Sequence, residues 1–258
     1  MVRKNIIESE NAVSEVVDVV LILGIMLIAI TVITVAGFPA LQNIQESGHQ
    51  ENIRQSFIVL GENVNKVVFD NAPSQSVELK MYGGGIWISS DSYMNMTLET
   101  WNSSISAKEN QTAIDGQMRS LQNEYEGTTV SYENTGVWAK YQTGDAVIVR
   151  DPQFIFNDNL LVVPFAPIRG TDGIAGEGLI RVIATEDGIP AVYTYQNVSA
   201  VDIKINSVYY TAWEDYLRDN LEMQVEINDT ESSVHAYKEY TENIDVYVLK
   251  SSIDISIE

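Results

Sequence analysis

The side chains able to do chemistry in this chain are dominated by acids. Asp and Glu number 36 against 15 Lys and Arg, giving a formal net charge of −21. Only two histidines occur, His49 and His235, in very different segments, and there is no cysteine. Disulfides, thiolate nucleophiles and Cys-ligated metals are therefore excluded. A metal bound by the two histidines would need Asp or Glu partners supplied by the fold, so solvated histidines are expected. The run Gly170-Thr171-Asp172-Gly173-Ile174-Ala175-Gly176-Glu177-Gly178 is glycine-rich. It lacks the Lys-Ser/Thr of a phosphate loop, and the strand and helix that would flank one. It reads as a flexible loop; its Asp172 and Glu177 could contribute to a calcium site, although their spacing is not that of an EF-hand. With so many carboxylates, no acid/base pair for glycoside chemistry can be picked, and no serine nucleophile elbow is present. The expectation is a protein that is not an enzyme and uses no cofactor. Nucleic acid is excluded as a partner, because a phosphate backbone requires basic neutralisation.

One carboxylate stands apart by position. Glu15 lies just ahead of Val19–Phe38, twenty residues without a charge. Such a run crosses a ~30 Å hydrocarbon core as a helix at about 1.5 Å per residue. Arg3 and Lys4 precede it and a strongly acidic chain follows, so the basic end is expected in the cytoplasm and the remainder outside the cell. The run is too long for a cleaved signal, and Val35-Ala36-Gly37 is a poor cleavage site. A carboxylate at the start of a membrane helix is costly unless paired or close to water.

The block Ala12-Val13-Ser14-Glu15-Val16-Val17, followed by the long aliphatic helix, resembles the N-terminus of archaeal type IV pilins and pilin-like proteins. The resemblance implies a leader, residues 1–11, removed by a prepilin-type peptidase at Asn11 or Ala12. It also implies that Glu15 pairs with the new α-amino group of a neighbouring subunit, in self-assembly or with other pilin-like subunits. Two further stretches, Gln55–Leu60 and Ala72–Lys80, are similar to a group of archaeal secreted proteins of unknown role that share this start. On this reading the chain is a subunit or minor component of a pilus-like filament. The alternative is a membrane-anchored external domain that binds a glycan or a cation and never polymerises.

The elements that would position such groups follow from periodicity. Ile53, Phe57, Leu60, Val64 and Val67 recur at helical spacing and form one face. Gly37 and Pro39 allow a bend before them, and Asn71 and Pro73 end the helix. From Val77 the period becomes two, with Gly83-Gly84-Gly85 read as a hairpin turn into Ile86–Ile88. About a dozen short strands follow, interrupted by one short helix over Thr211–Asn220 whose Trp213, Tyr216 and Leu217 share a face. The expected fold is α+β: a long N-terminal hydrophobic and amphipathic helix, then a mainly antiparallel, sandwich-like β domain with one short helix. Its parts are the leader 1–11, a membrane helix 12–38, a helix extension 39–72 packed on the exterior domain, and the β-rich exterior domain 73–258. Acceptor sequons for N-glycosylation stand at Asn95, Asn102, Asn110, Asn197 and Asn228. The first three lie between Asn95 and Thr112, a stretch poor in strand pattern and expected to be exposed.

Overall fold

A computed structural model describes residues 4–102, 107–171 and 173–258, with side chains described from Val16 onward except at Asn102. The chain forms two compact units, residues 1–49 and 50–258. Helix α1 (Lys4–Val32) leads through a π-helical turn (Ile33–Gly37) into α2 (Phe38–Phe69). Pro39 explains the turn. It has no amide hydrogen, and its ring crowds the carbonyl four residues back, so the ladder cannot continue unchanged. Just before it the ladder widens, and Phe38 N–H bonds Ile33 O, five residues back. The bend expected at Gly37–Pro39 is thus a local widening, and Ser47-Gly48 lies within unbroken helix.

Among the described residues, fifteen strands follow. They are β1 (Ser74–Ser89), β2 (Tyr93–Asn102), β3 (Ala107–Gln117), β4 (Ser120–Tyr125), β5 (Thr128–Glu133), β6 (Gly136–Tyr141), β7 (Ala146–Arg150) and β8 (Ile155–Asn157). Next come β9 (Leu160–Phe165), β10 (Ile168–Arg169), β11 (Gly173–Glu186) and β12 (Ala191–Asn206). Helix α3 (Tyr210–Asp219) precedes β13 (Gln224–Asn228), β14 (Ser233–Lys250) and β15 (Ile253–Ile257). An eight-stranded sheet has the order β10-β15-β11-β1-β4-β5-β6-β7, and a seven-stranded sheet the order β3-β2-β12-β14-β9-β8 with β13 also on β14. Pairing is antiparallel except for β10 with β15 and β9 with β14. The protein is α+β with a β-rich domain, as its periodicity implies.

Within the second unit, Ile53, Phe57, Leu60, Val64, Val67 and Val68 of α2 are buried against one side of the eight-stranded sheet. Burial of each such side chain contributes about 1.5–3 kcal/mol relative to exposure. Alternation along β6 divides the core: Val137 and Ala139 join α2, whereas Trp138 points to the other side. There it meets Tyr209, Trp213 and Tyr216 at and on α3, together with the inner face of the seven-stranded sheet. The eight-stranded sheet is therefore covered on both sides at β5 and β6.

Three expectations are corrected. The triple glycine is not a turn: β1 runs straight through it, and its register with β11 shifts between Tyr82 and Gly85, a bulge. The glycine-rich run is not a loop from Gly173 onward, because it pairs with β1, Gly173 opposite Trp87 and Ala175 opposite Gly85. Asp172 lies outside the described residues. The stretch holding Asn95 and Asn110 is an antiparallel pair, β2 with β3, whose register shifts once, between Met96 and Thr97.

Candidate functional site

Three groups of residues compete for a functional role. The first is the apolar helix. Every large apolar side chain from Val16 to Val35 is at least half exposed, from 50% at Val17 to 71% at Val35. The described helix is long and apolar enough to cross a membrane, with a mean hydropathy of 3.0 in its most apolar window. Its hydroxyls are internally satisfied: Thr31 Oγ1 donates to Leu27 O at 2.7 Å and Thr34 Oγ1 to Ile30 O at 2.8 Å. An uncovered apolar cylinder of this length is unfavourable in water, so lipid or other helices must cover it. Asn11, Ala12 and Glu15 fall on the α1 backbone, and their side chains lie outside the described residues.

The second group centres on Glu133, which the carboxylate count could not single out. Glu133 ends β5 and is 1% exposed. Trp213 Nε1–H donates to its Oε1 at 2.8 Å, and Ser207 Oγ lies 2.9 Å from Oε1 and 3.1 Å from Oε2. Trp138 Nε1–H donates to its backbone carbonyl at 3.0 Å. The two indoles are tilted against each other with centroids 4.4 Å apart. Burial pushes the Glu133 carboxyl up to about 7, against the hydrogen bonds from Trp213 and Ser207. The turn that follows is buried as well. Asn134 and Thr135 take positive φ, and Asn134 bridges Pro164 O and Ala166 N at 3.1 and 2.9 Å. Asn65 of α2 donates to Thr135 O at 3.0 Å and accepts from Tyr132 OH at 2.8 Å. These bonds tie α2, both strands of the β5–β6 hairpin and α3 together. Inaccessible to any substrate, Glu133 is a scaffold group.

The third group is the outer face of the seven-stranded sheet. Asp115, Asn95, Lys204, His235 and Glu226 are consecutive partners across β3, β2, β12, β14 and β13. His235 Nε2 lies 2.7 Å from Asp202 Oδ2, and Lys204 Nζ 3.3 Å from Glu231. Lys108 Nζ, 2.6 Å from Glu99, and then Ser199 hold that carboxyl below the ordinary range. No group of three or more His, Asp or Glu suited to a metal occurs among the described residues. Every sequon falls on a strand of this sheet: Asn95 and Asn102 on β2, Asn110 on β3, Asn197 on β12 and Asn228 on β13. Asn110, Asn197 and Asn228 are exposed. Asn95 is half-buried and donates to Asp115 at 3.2 Å, and the side chain of Asn102 lies outside the described residues.

The profile of one protein family, described as a family of unknown function, matches residues 11–256. Neither a curated protein nor a solved structure matches the chain.

Proposed function

We propose that this chain, which belongs to that family, DUF7289, is a pilin-like cell-surface protein: a subunit or minor component of a filament in which apolar N-terminal helices pack together. The observation that carries the reading is the helix itself. Its residues from Val16 to Val35 bury nothing within the chain. Farther along, Ile53–Val68 are committed to a folded β-rich domain. A helix divided in this way suits a subunit that needs like helices to complete it. The N-terminal block quoted above supports the same reading. So does the extent of the family match, which begins at residue 11, takes in the whole apolar run and leaves out the first ten residues.

In this account residues 1–11 are a leader, a prepilin-type peptidase cuts beside Ala12, and the exposed ammonium pairs with Glu15 of a neighbour. The β-rich domain is displayed outside the cell, and its sequons are acceptors for glycans on the seven-stranded sheet. Replacing Glu15 with Gln retains shape and removes the charge, leaving the ammonium without its partner. Glu15→Gln should leave insertion and folding intact and lower the recovery of protein in sheared filaments. Equal recovery from parent and variant would remove the pairing role. A parent protein abundant in membranes and absent from all sheared material would favour the anchored binding domain instead.

A further inference from the structure

Where β11, β1 and β4 run side by side, the side of the eight-stranded sheet away from α2 is buried at Ser89, Ser120 and Gln122 and open at the end that holds Gly85 and Glu124. Ile86 and Leu121 point to the α2 side and are fully buried, so alternation directs Gly85, Trp87 and Glu124 to the other side. Gly173 and Ala175 are their partners on β11, and Glu124 is paired with Gly85 on β4. A hollow of about 530 Å³ opens there, also bordered by Glu126. That volume lies within the ~300–1,000 Å³ span of small-molecule sites.

The hollow exists because glycine and alanine stand where a sheet surface normally carries bulk. Glycine within a strand often marks close approach of a ligand or another backbone. The indole of Trp87 leans along its own strand over Gly85. A Cβ on Gly85 would sit 3.4 Å from Trp87 Cζ3, and one on Gly173 would sit 3.1 Å from Trp87 Cβ. Gly84 has a separate task, since at φ +72° its Cβ would fall 1.9 Å from Glu124 O. It permits the bulge that precedes Gly85 and Trp87 on β1. No described residue hydrogen-bonds the indole N–H or engages the carboxylates of Glu124 and Glu126. The wall thus offers one flat aromatic surface, one free donor and two free acceptors.

We propose that this hollow is a saccharide-binding site that takes a neutral pyranose ring. The axial C–H face of a sugar stacks on an indole, its hydroxyls donate to carboxylates, and a ring oxygen or hydroxyl accepts from the indole N–H. A purely apolar ligand would strip water from two carboxylates and return nothing. An anionic ligand would meet both carboxylates on a chain of net charge −21. The site is independent of polymerisation and holds for a filament subunit and for an anchored domain alike.

The test uses the full chain in a detergent without a sugar headgroup. It is titrated by calorimetry with a panel of neutral gluco-, galacto- and manno-oligosaccharides of three to six units. At least one should bind with a sub-millimolar dissociation constant. Trp87→Ala should weaken it at least about tenfold. Ala175→Leu, at an exposed position on β11, should do the same by filling the hollow while leaving the unfolding temperature unchanged. Three results overturn the proposal: no saccharide of the panel bound at about 10 mM, binding retained in both variants, or Trp87-dependent binding of oligolysine in place of sugars. The last would make the hollow a cation site.

Discussion

Glu133 offers the sharpest physical test of the core. In the unfolded chain its carboxyl titrates near 4.5, and in the folded chain near 7. Below pH 4.5 it is protonated in both states, and the full stability is present. Between those values the unfolded chain ionises while the folded one does not, so stability falls as pH rises. Above pH 7 both are ionised and the loss is complete. At 1.36 kcal/mol per tenfold change, that loss is about 3 kcal/mol. Glu133→Gln removes the titration and keeps an acceptor for Trp213 Nε1–H. The two proteins would be unfolded by denaturant in neutral micelles at pH 5 and pH 8. Emission from Trp138 and Trp213, which pack against one another in this network, would report the loss of the core. Comparison with the variant cancels the repulsion common to both acidic chains. Relative to its parent, Glu133→Gln should gain about 2.5 kcal/mol between pH 5 and pH 8, because part of the loss has already occurred by pH 5. Equal pH dependence in the two proteins would show that Glu133 is not held neutral by burial, and the reasoning would fail.

The other predictions concern packing. Phe57→Asp places a charge where the parent side chain is 1% exposed; denaturant titration should show a loss of several kcal/mol, and an unchanged midpoint would place that helix face in solvent. Gly84→Ala forces a side chain onto Glu124 O; it should cost more than about 1 kcal/mol and disturb β1–β4 amide protection in hydrogen exchange. A chain beginning at Gln50 retains the whole second unit, so it should be soluble and β-rich by circular dichroism without detergent. Aggregation of that chain under all buffer conditions would mean that residues 1–49 are needed for its fold.

The residues explain which parts of this architecture could be read from sequence. The α2 face was legible because Ile53, Phe57, Leu60, Val64 and Val67 carry helical spacing with large apolar side chains, and all are buried. Gly61 and Asn65 also lie on that face. Gly61 brings the helix within reach of Val137, and Asn65 bonds a distant turn, facts that only the tertiary structure supplies. Helix α3 was legible from Trp213, Tyr216 and Leu217. The long strands were not. Polar residues break the alternation of β12 at Gln196-Asn197 and of β14 at Thr241–Asn243, so the pattern of each divides into two short strands. The interruptions coincide at shifts in the β12–β14 register, so the break in pattern is a bulge and not a turn. Strand β2 is weakly marked although Met94, Met96 and Leu98 alternate with Asn95, Thr97 and Glu99, because Asn and Glu disfavour strands and Met is not among the residues that favour them. Glu133 was hidden for a different reason. Polar alternates along β5 suggest a wet face, yet the strand is covered by α2 on one side and by α3 and the second sheet on the other. Trp87 and Gly173 come together only through pairing across 86 positions of sequence.

The central claim is that the apolar N-terminal helix, freed of its leader, is an assembly element. The measurement that tests it most directly is the N-terminal peptide of the protein recovered in the sheared, pelleted surface fraction, identified by mass spectrometry alongside electron microscopy of that fraction. The account predicts filaments containing this chain with a mature terminus at Asn11 or Ala12. Protein confined to membranes and beginning uniformly at Met1 or Val2 would contradict it.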